Sequence, residues 1–157
     1  MAHMNNDAPL PPFEPTALPH HWVNRLGFAL RKELTTRFQD AGLSATAEDW
    51  GTLLILSQGA QTPSQLSDAS LRDRTTVTRL VDRLVRKGWV ERQPDAEDRR
   101  RLLLSLTGAG QAAMAEMRAI VGPLIAETGK GISAQEQQIA VSVMQRMLAN
   151  LQGPTVD

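Results

Sequence analysis

Four arginines, Arg74, Arg79, Arg83 and Arg86, share one short stretch with Thr75, Thr76 and Thr78, and Arg99, Arg100 and Arg101 follow after a turn-rich segment. A guanidinium is a planar, permanently charged donor fork that matches a phosphate or the O6/N7 edge of guanine. A threonine hydroxyl adds short bonds to phosphate oxygens. Residues of these types at this density point to recognition of a polyanion. Catalysis finds little support: no Gly-rich phosphate loop, Cys, spaced His pair or Ser/His/Asp arrangement stands out, and the carboxylates are scattered on faces that read as solvated. We expect no enzyme and no cofactor.

The first cluster needs a helix to hold it. Asp73 at an N-cap position and Gly88 at the stop sign both ends of one. At 100° per residue, Val77, Leu80, Val81, Leu84 and Val85 fall in one apolar sector. Thr75, Arg79, Asp82 and Arg86 fall opposite, flanked by Thr76 and Arg83. Such a face suits a helix in the DNA major groove, though the helix alone fits a solvated amphipathic helix equally well. The next segment shifts that balance. Val90 to Gln93 and Leu102 to Leu106 predict two strands, joined by the turn residues Pro-Asp-Ala-Glu-Asp, with the second arginine cluster at or just after the tip. A hairpin after a recognition-type helix is a wing, and arginine on it is placed to enter a minor groove. Asp98 would orient one of those arginines.

Upstream, Thr62-Pro63-Ser64-Gln65 is a capping-box pattern that predicts a short helix through Ala69. With the Asp73 helix it makes a helix-turn-helix. Thr46 to Ser57 opens with an N-cap and first-turn acids and gives Trp50, Leu53, Leu54 and Leu56, a core helix. Before it, Trp22, Leu26, Leu30, Leu34 and Phe38 predict a helix from about His20 to the turn at Gly42, with Phe28 off the stripe. His20 and His21 are adjacent, hence on different faces, and read as helix-start or surface residues ahead of a metal pair. After Thr107 a long helix runs to about Glu127 with Met114 in its apolar set, and Gly122-Pro123 should kink it. Ser133-Ala-Gln-Glu136 caps a last helix whose apolar residues run from Ile139 to Leu151. That seam fits packing on the preceding helix and fits a dimer contact alike.

These residues together carry a family resemblance. TVTRLVDRLVRKGWVER at 76–92, DRR at 98–100 and SLTGAG at 105–110 resemble the MarR family of winged-helix transcription regulators, in order and at family spacing. The likeness covers about residues 20 to 152. It implies a mainly α fold with a small β-hairpin wing, a winged helix-turn-helix lobe at 46–110 and dimerisation helices at 20–42 and 112–152. It implies that Arg100 contacts the minor groove supported by Asp98, and that Gly88, Leu106, Thr107 and Gly110 are structural markers. The expected DNA contacts are Arg74, Thr75, Thr76, Thr78, Arg79, Arg83, Arg86, Asp98, Arg99 and Arg100. MarR-like proteins also take small aromatic or anionic effectors between the dimer helices and the DNA-binding lobe. The residues nominated for that are Phe28, with Arg25 one turn before it for a ligand carboxylate, then Trp50 and Met114, each of which reads more readily as plain core than as pocket. The function implied is a homodimeric, ligand-responsive repressor on a pseudopalindromic operator. Its rival is a winged-helix module docking an acidic protein without DNA binding.

Composition agrees. The 157 residues suit one domain with a sizeable core, and 17 basic residues balance 17 acidic ones. Between Arg72 and Arg101 there are ten basic and six acidic residues, net +4, leaving net −4 elsewhere. The absence of Cys excludes disulfides, thiolate zinc sites and cysteine redox sensing. No apolar run approaches the roughly 20 residues of a membrane span and no signal-peptide pattern precedes the domain, so a cytoplasmic location is expected. Met1 to Met4 read as a cloning remnant; residues 1–19, rich in proline from 7 to 19, are expected to be extended or flexible, and 153–157 form a tail.

Overall fold

A computed structural model describes residues 14–152. The cloning remnant, Pro9, Pro11, Pro12 and the tail 153–157 lie outside the described residues. In chain order come a 3-10 turn at Pro15–Ala17, then α1 (Pro19–Asp40), α2 (Ala47–Leu56), α3 (Pro63–Ser70), α4 (Arg74–Arg86), β1 (Val90–Pro94), β2 (Leu102–Leu106), α5 (Gly108–Thr128) and α6 (Ala134–Gln152). The fold is mainly helical with a two-stranded antiparallel hairpin, as the sequence predicts. The chain divides into two compact units, one ending at Ile120 and the other starting at Val121.

Side chains set the helix starts. Thr46 accepts the Asp49 N–H at 3.2 Å while the Asp49 carboxylate accepts the Thr46 N–H at 3.0 Å, so two orphan donors of α2 are satisfied reciprocally. Thr62 and Gln65 repeat the arrangement on α3, with Pro63 at its first position. Asp73 caps α4 through the Thr76 N–H at 2.8 Å. Ser133 and Glu136 cap α6.

The first unit is built around α2, which packs on α1, α3, α4 and β2. Its core draws one side chain from each of five elements: Phe38, Leu53, Leu66, Leu84 and Leu104 are all at most 1% exposed. Truncating any of these leucines to Ala should cost roughly 2–5 kcal/mol in lost burial and cavity. From the predicted apolar sector of α4, Val77, Leu80, Val81 and Leu84 are buried and Val85 is half-buried. The wing pairs Val90 with Leu106, Arg92 with Leu104 and Pro94 with Leu102. A third backbone segment joins it: Gln61 exchanges both bonds with Leu104, at 3.0 and 2.8 Å. The turn from α3 to α4 passes through Leu71 in the left-handed region, φ 52°, with its side chain exposed.

Two expectations change, at Pro15–Ala17 and at Asp49. Pro15–Ala17 is a 3-10 turn in place of extended chain, held by the Trp22 indole N–H on the Thr16 carbonyl at 2.8 Å. The α1 stripe is buried only toward its end, at Leu34 and Phe38, while Trp22 and Leu26 are exposed. Asp49 overturns the reading of the carboxylates as solvated: it is 0% exposed. As for the expected kink, α5 stays helical through Pro123, although the proline offers no N–H to the preceding turn. In the second unit, α6 has no buried residue, and Ile139, Met144, Leu148 and Leu151 are all exposed.

Candidate nucleic-acid interface

α4 presents its polar side as its spacing requires. Arg74, Thr75, Thr78, Arg79 and Arg86 are exposed, and among the described residues no carboxylate pairs with Arg74, Arg79 or Arg86. Their charge is therefore available to a ligand. The threonines are divided in use. The Thr78 hydroxyl donates to the Arg74 carbonyl at 2.8 Å, and the Thr76 hydroxyl donates to the Asp73 carboxylate at 2.6 Å. That second bond, with the Thr76 N–H, holds the Asp73 carboxyl below its usual value. Thr76 is thus engaged in the helix cap.

Arg83 differs from the other arginines of α4. Its guanidinium turns onto Asp49, with Nη2 at 2.7 Å and Nε at 3.0 Å from Oδ1, and Nη2 lies 3.3 Å from the Thr46 hydroxyl. Arg72, which the sequence reading did not single out, joins Thr76, Arg79 and Arg83 around a cleft of about 240 Å³ beside the helix. Glu48 lies there too, 3.9 Å from Arg72.

Gly88, at φ +71°, turns the chain out of α4 and into the wing. Thr107 closes the wing's base: its hydroxyl donates to the Gly88 carbonyl at 2.5 Å and accepts the Gly110 N–H at 3.0 Å. Arg92 on β1 pairs with Asp82 on α4, tying the wing to the helix. At the tip, the Asp95 N–H meets the Arg101 carbonyl at 2.9 Å, and the Arg101 N–H meets the Asp98 carbonyl at 2.8 Å. The Asp98 carboxylate accepts the backbone N–H of Arg100 at 3.0 Å and shapes the loop, while no described carboxylate pairs with the guanidinium of Arg99, Arg100 or Arg101. All three arginines are exposed. The arrangement offers one cationic helix face and one cationic loop, held together through Gly88 and the Arg92–Asp82 pair.

The nominated effector residues do not converge. Phe28 is 61% exposed on α1, and the guanidinium over its ring, 4.9 Å from the centroid, belongs to Arg31, not Arg25. Arg25 is exposed and Trp50 half-buried. Met114 is buried and lines a cleft of about 460 Å³ with Leu56, Ser105, Gln111 and Arg118, whose lining does not include Arg25, Phe28 or Trp50. Among the described residues, no group of His, Asp or Glu can hold a metal ion.

A two-helix reader followed directly by a hairpin with a charged tip defines the winged helix-turn-helix class. Residues 46–102 match the MarR family. The multiple antibiotic resistance protein MarR of Escherichia coli K12 is 36% identical over 88 residues, which cover 55% of this chain and 61% of that protein. A mutant E. coli MarR complexed with operator DNA aligns at TM-score 0.68 and 29% identity, over 81% of this chain and 94% of that one. BpsR of Bordetella bronchiseptica, whose DNA binding is regulated by 6-hydroxynicotinic acid, aligns at TM-score 0.75 over 87% of this chain and 97% of its own; at 24% identity it is alike in fold. Residues 46–102 thus carry a MarR-family match, and the chain is similar in sequence and fold to MarR-family winged-helix regulators.

Proposed function

We propose that this chain is a sequence-specific regulator that binds double-stranded DNA as a homodimer on a pseudopalindromic operator, represses transcription there, and is released by a small aromatic or anionic molecule. The observation that carries this reading is the set of exposed arginines without carboxylate partners among the described residues, Arg74, Arg79 and Arg86 on α4 and Arg99 and Arg100 on the wing tip. On a MarR-family fold such a set supports α4 in a major groove and the wing in the adjacent minor groove. Thr75 and Thr78 add hydroxyls on the helix face, and Asp98 supports the loop.

Dimerisation through 20–42 and 112–152 is supported by apolar residues that each unit leaves exposed, Trp22 and Leu26 on α1 and Ile139, Met144 and Leu148 on α6. We assign residues 46–110 to the DNA-binding lobe. For the effector, the cleft lined by Met114 and Arg118 has the size of a small-ligand site. No catalytic step is needed for this function. Among the described residues no helix is long and apolar enough to cross a membrane, and action in the cytoplasm fits the role.

Selection of bound sequences from a random duplex pool tests the reading. Enrichment of a two-fold symmetric motif with half-sites about one helical turn apart is expected. Recovery of an unenriched pool would contradict it.

A further inference from the structure

The buried carboxylate of Asp49 is bound on both oxygens. Oδ1 accepts from Arg83 Nε at 3.0 Å and Nη2 at 2.7 Å; Oδ2 accepts from the Thr46 N–H at 3.0 Å and from Lys87 Nζ at 2.8 Å. The α2 capping box needs only the Thr46 bond. The other three run to cations on the last turn of α4 and at its C-cap. Lys87 extends the cluster, bonding the Ser44 carbonyl and lying with Nζ 4.5 Å from the centroid of the Trp89 ring, at the entry to the wing. One carboxylate therefore joins the start of α2, the end of α4 and the base of the hairpin.

Geometry explains why this site matters to recognition. α4 meets α2 across its apolar sector, where the driving force, removal of apolar surface from water, has no direction of its own. Two charge-assisted bonds from Arg83 and one from Lys87 fix a direction. Arg83 and Lys87 are four residues apart, so they grip the helix on one side and hold Arg79, four residues before Arg83, at a set angle.

We propose that Asp49 is a positioning residue for DNA recognition: the Asp49–Arg83–Lys87 cluster sets the angle of α4 and of the wing base, and Arg83, half-exposed, is an intramolecular strut in place of a DNA contact. The inference rests on the DNA-binding reading. It separates from a purely stabilising role, because a residue that only stabilises the fold leaves the preference between two duplexes unchanged in protein that is folded.

The test titrates wild type, Asp49→Asn, Arg83→Gln and Lys87→Met onto a duplex selected from a random pool and onto a scrambled duplex of equal length, over a range of salt, well below each melting temperature. Asp49→Asn is expected to lower the selected-to-scrambled preference roughly tenfold, the size of one mismatched base pair, while affinity for the scrambled duplex holds within about twofold. Arg83→Gln is expected to lose preference alike with an unchanged salt slope, and an Asp49→Asn/Arg83→Gln double variant to be little worse than either single one. A wild-type preference in Asp49→Asn would overturn the inference alone. So would an Arg83→Gln that loses about one unit of salt slope and weakens both duplexes equally, the mark of a phosphate contact. Should Asp49→Asn not fold, the Arg83→Gln and Lys87→Met cycle decides by the same criteria. A wild-type protein with no preference removes the DNA-binding reading and this inference together.

Discussion

The Asp98 carboxylate accepts the backbone N–H of Arg100 at 3.0 Å, so the two residues at the wing tip are joined through the main chain and the Arg100 guanidinium stays unpaired among the described residues. Shape and contact are thus divided between them. Arg100→Ala should weaken duplex binding by about 1–3 kcal/mol and lower the salt slope by about one. Asp98→Asn should bind like wild type, because asparagine makes the same turn, whereas Asp98→Ala should lose affinity. Fluorescence anisotropy across salt measures all three; a wild-type slope in Arg100→Ala would remove the wing from the interface.

Arg79 should behave differently from Arg100. It lies on the exposed face of α4, where guanidinium groups read guanine edges, so Arg79→Ala should relax base preference more than it lowers non-specific affinity. Reselecting sequences with the variant checks this. An unchanged motif would place Arg79 away from the bases.

Much of this site was legible because its signals are local. Asp73, the apolar sector of α4, the Thr46 N-cap of α2 and the capping box of α3 lie within one or two turns of what they bind. Asp49 was not legible. Its partners Arg83 and Lys87 are 34 and 38 residues away, and an acid in a helix's first turn ordinarily reads as a solvated cap. One signal was present: Arg83 flanks the apolar sector of α4, where a cation needs a partner on the packed side. The Gln61 bridge was hidden for another reason, since one paired residue has no period to detect. Arg25 and Phe28, three residues apart on α1, share a helix side, but the guanidinium over the Phe28 ring is that of Arg31, a contact that the i, i+3 spacing alone did not single out.

Gly110 is required by close approach. A Cβ there would lie 2.0 Å from the Trp89 carbonyl oxygen, a backbone atom that the Thr107 N–H also binds at 3.1 Å. Gly110→Ala should therefore force the wing base and the start of α5 apart, costing about 3 kcal/mol or more. Thermal or urea denaturation by circular dichroism checks it, and a wild-type midpoint would contradict the packing described.

Asp73 makes the stability of α4 sensitive to acid. The Thr76 hydroxyl, and then its N–H, hold the carboxyl below its ordinary value in the folded chain. A folded value below the unfolded one stabilises fully above the unfolded value and is lost as pH falls through the folded one. Wild type should exceed Asp73→Ala in denaturation midpoint at neutral pH, and the gap should shrink as pH falls through the ordinary carboxylate range and below it. A gap that stays constant into acid would show that the carboxylate's charge contributes nothing.

The central claim is that two copies of this chain read one duplex through α4 and the wing. The most direct measurement is sedimentation velocity of a labelled, selected duplex with wild type and with the α6 variant Ile139→Glu/Leu148→Glu, whose replaced side chains are 57% and 42% exposed in the single chain. The account predicts two protomers per duplex for wild type, with log affinity falling linearly in log salt by about 0.9 for each phosphate neutralised. It predicts monomers with little affinity for the variant. A wild-type monomer that binds the selected duplex tightly, or a dimer that binds it no better than scrambled sequence, would contradict it.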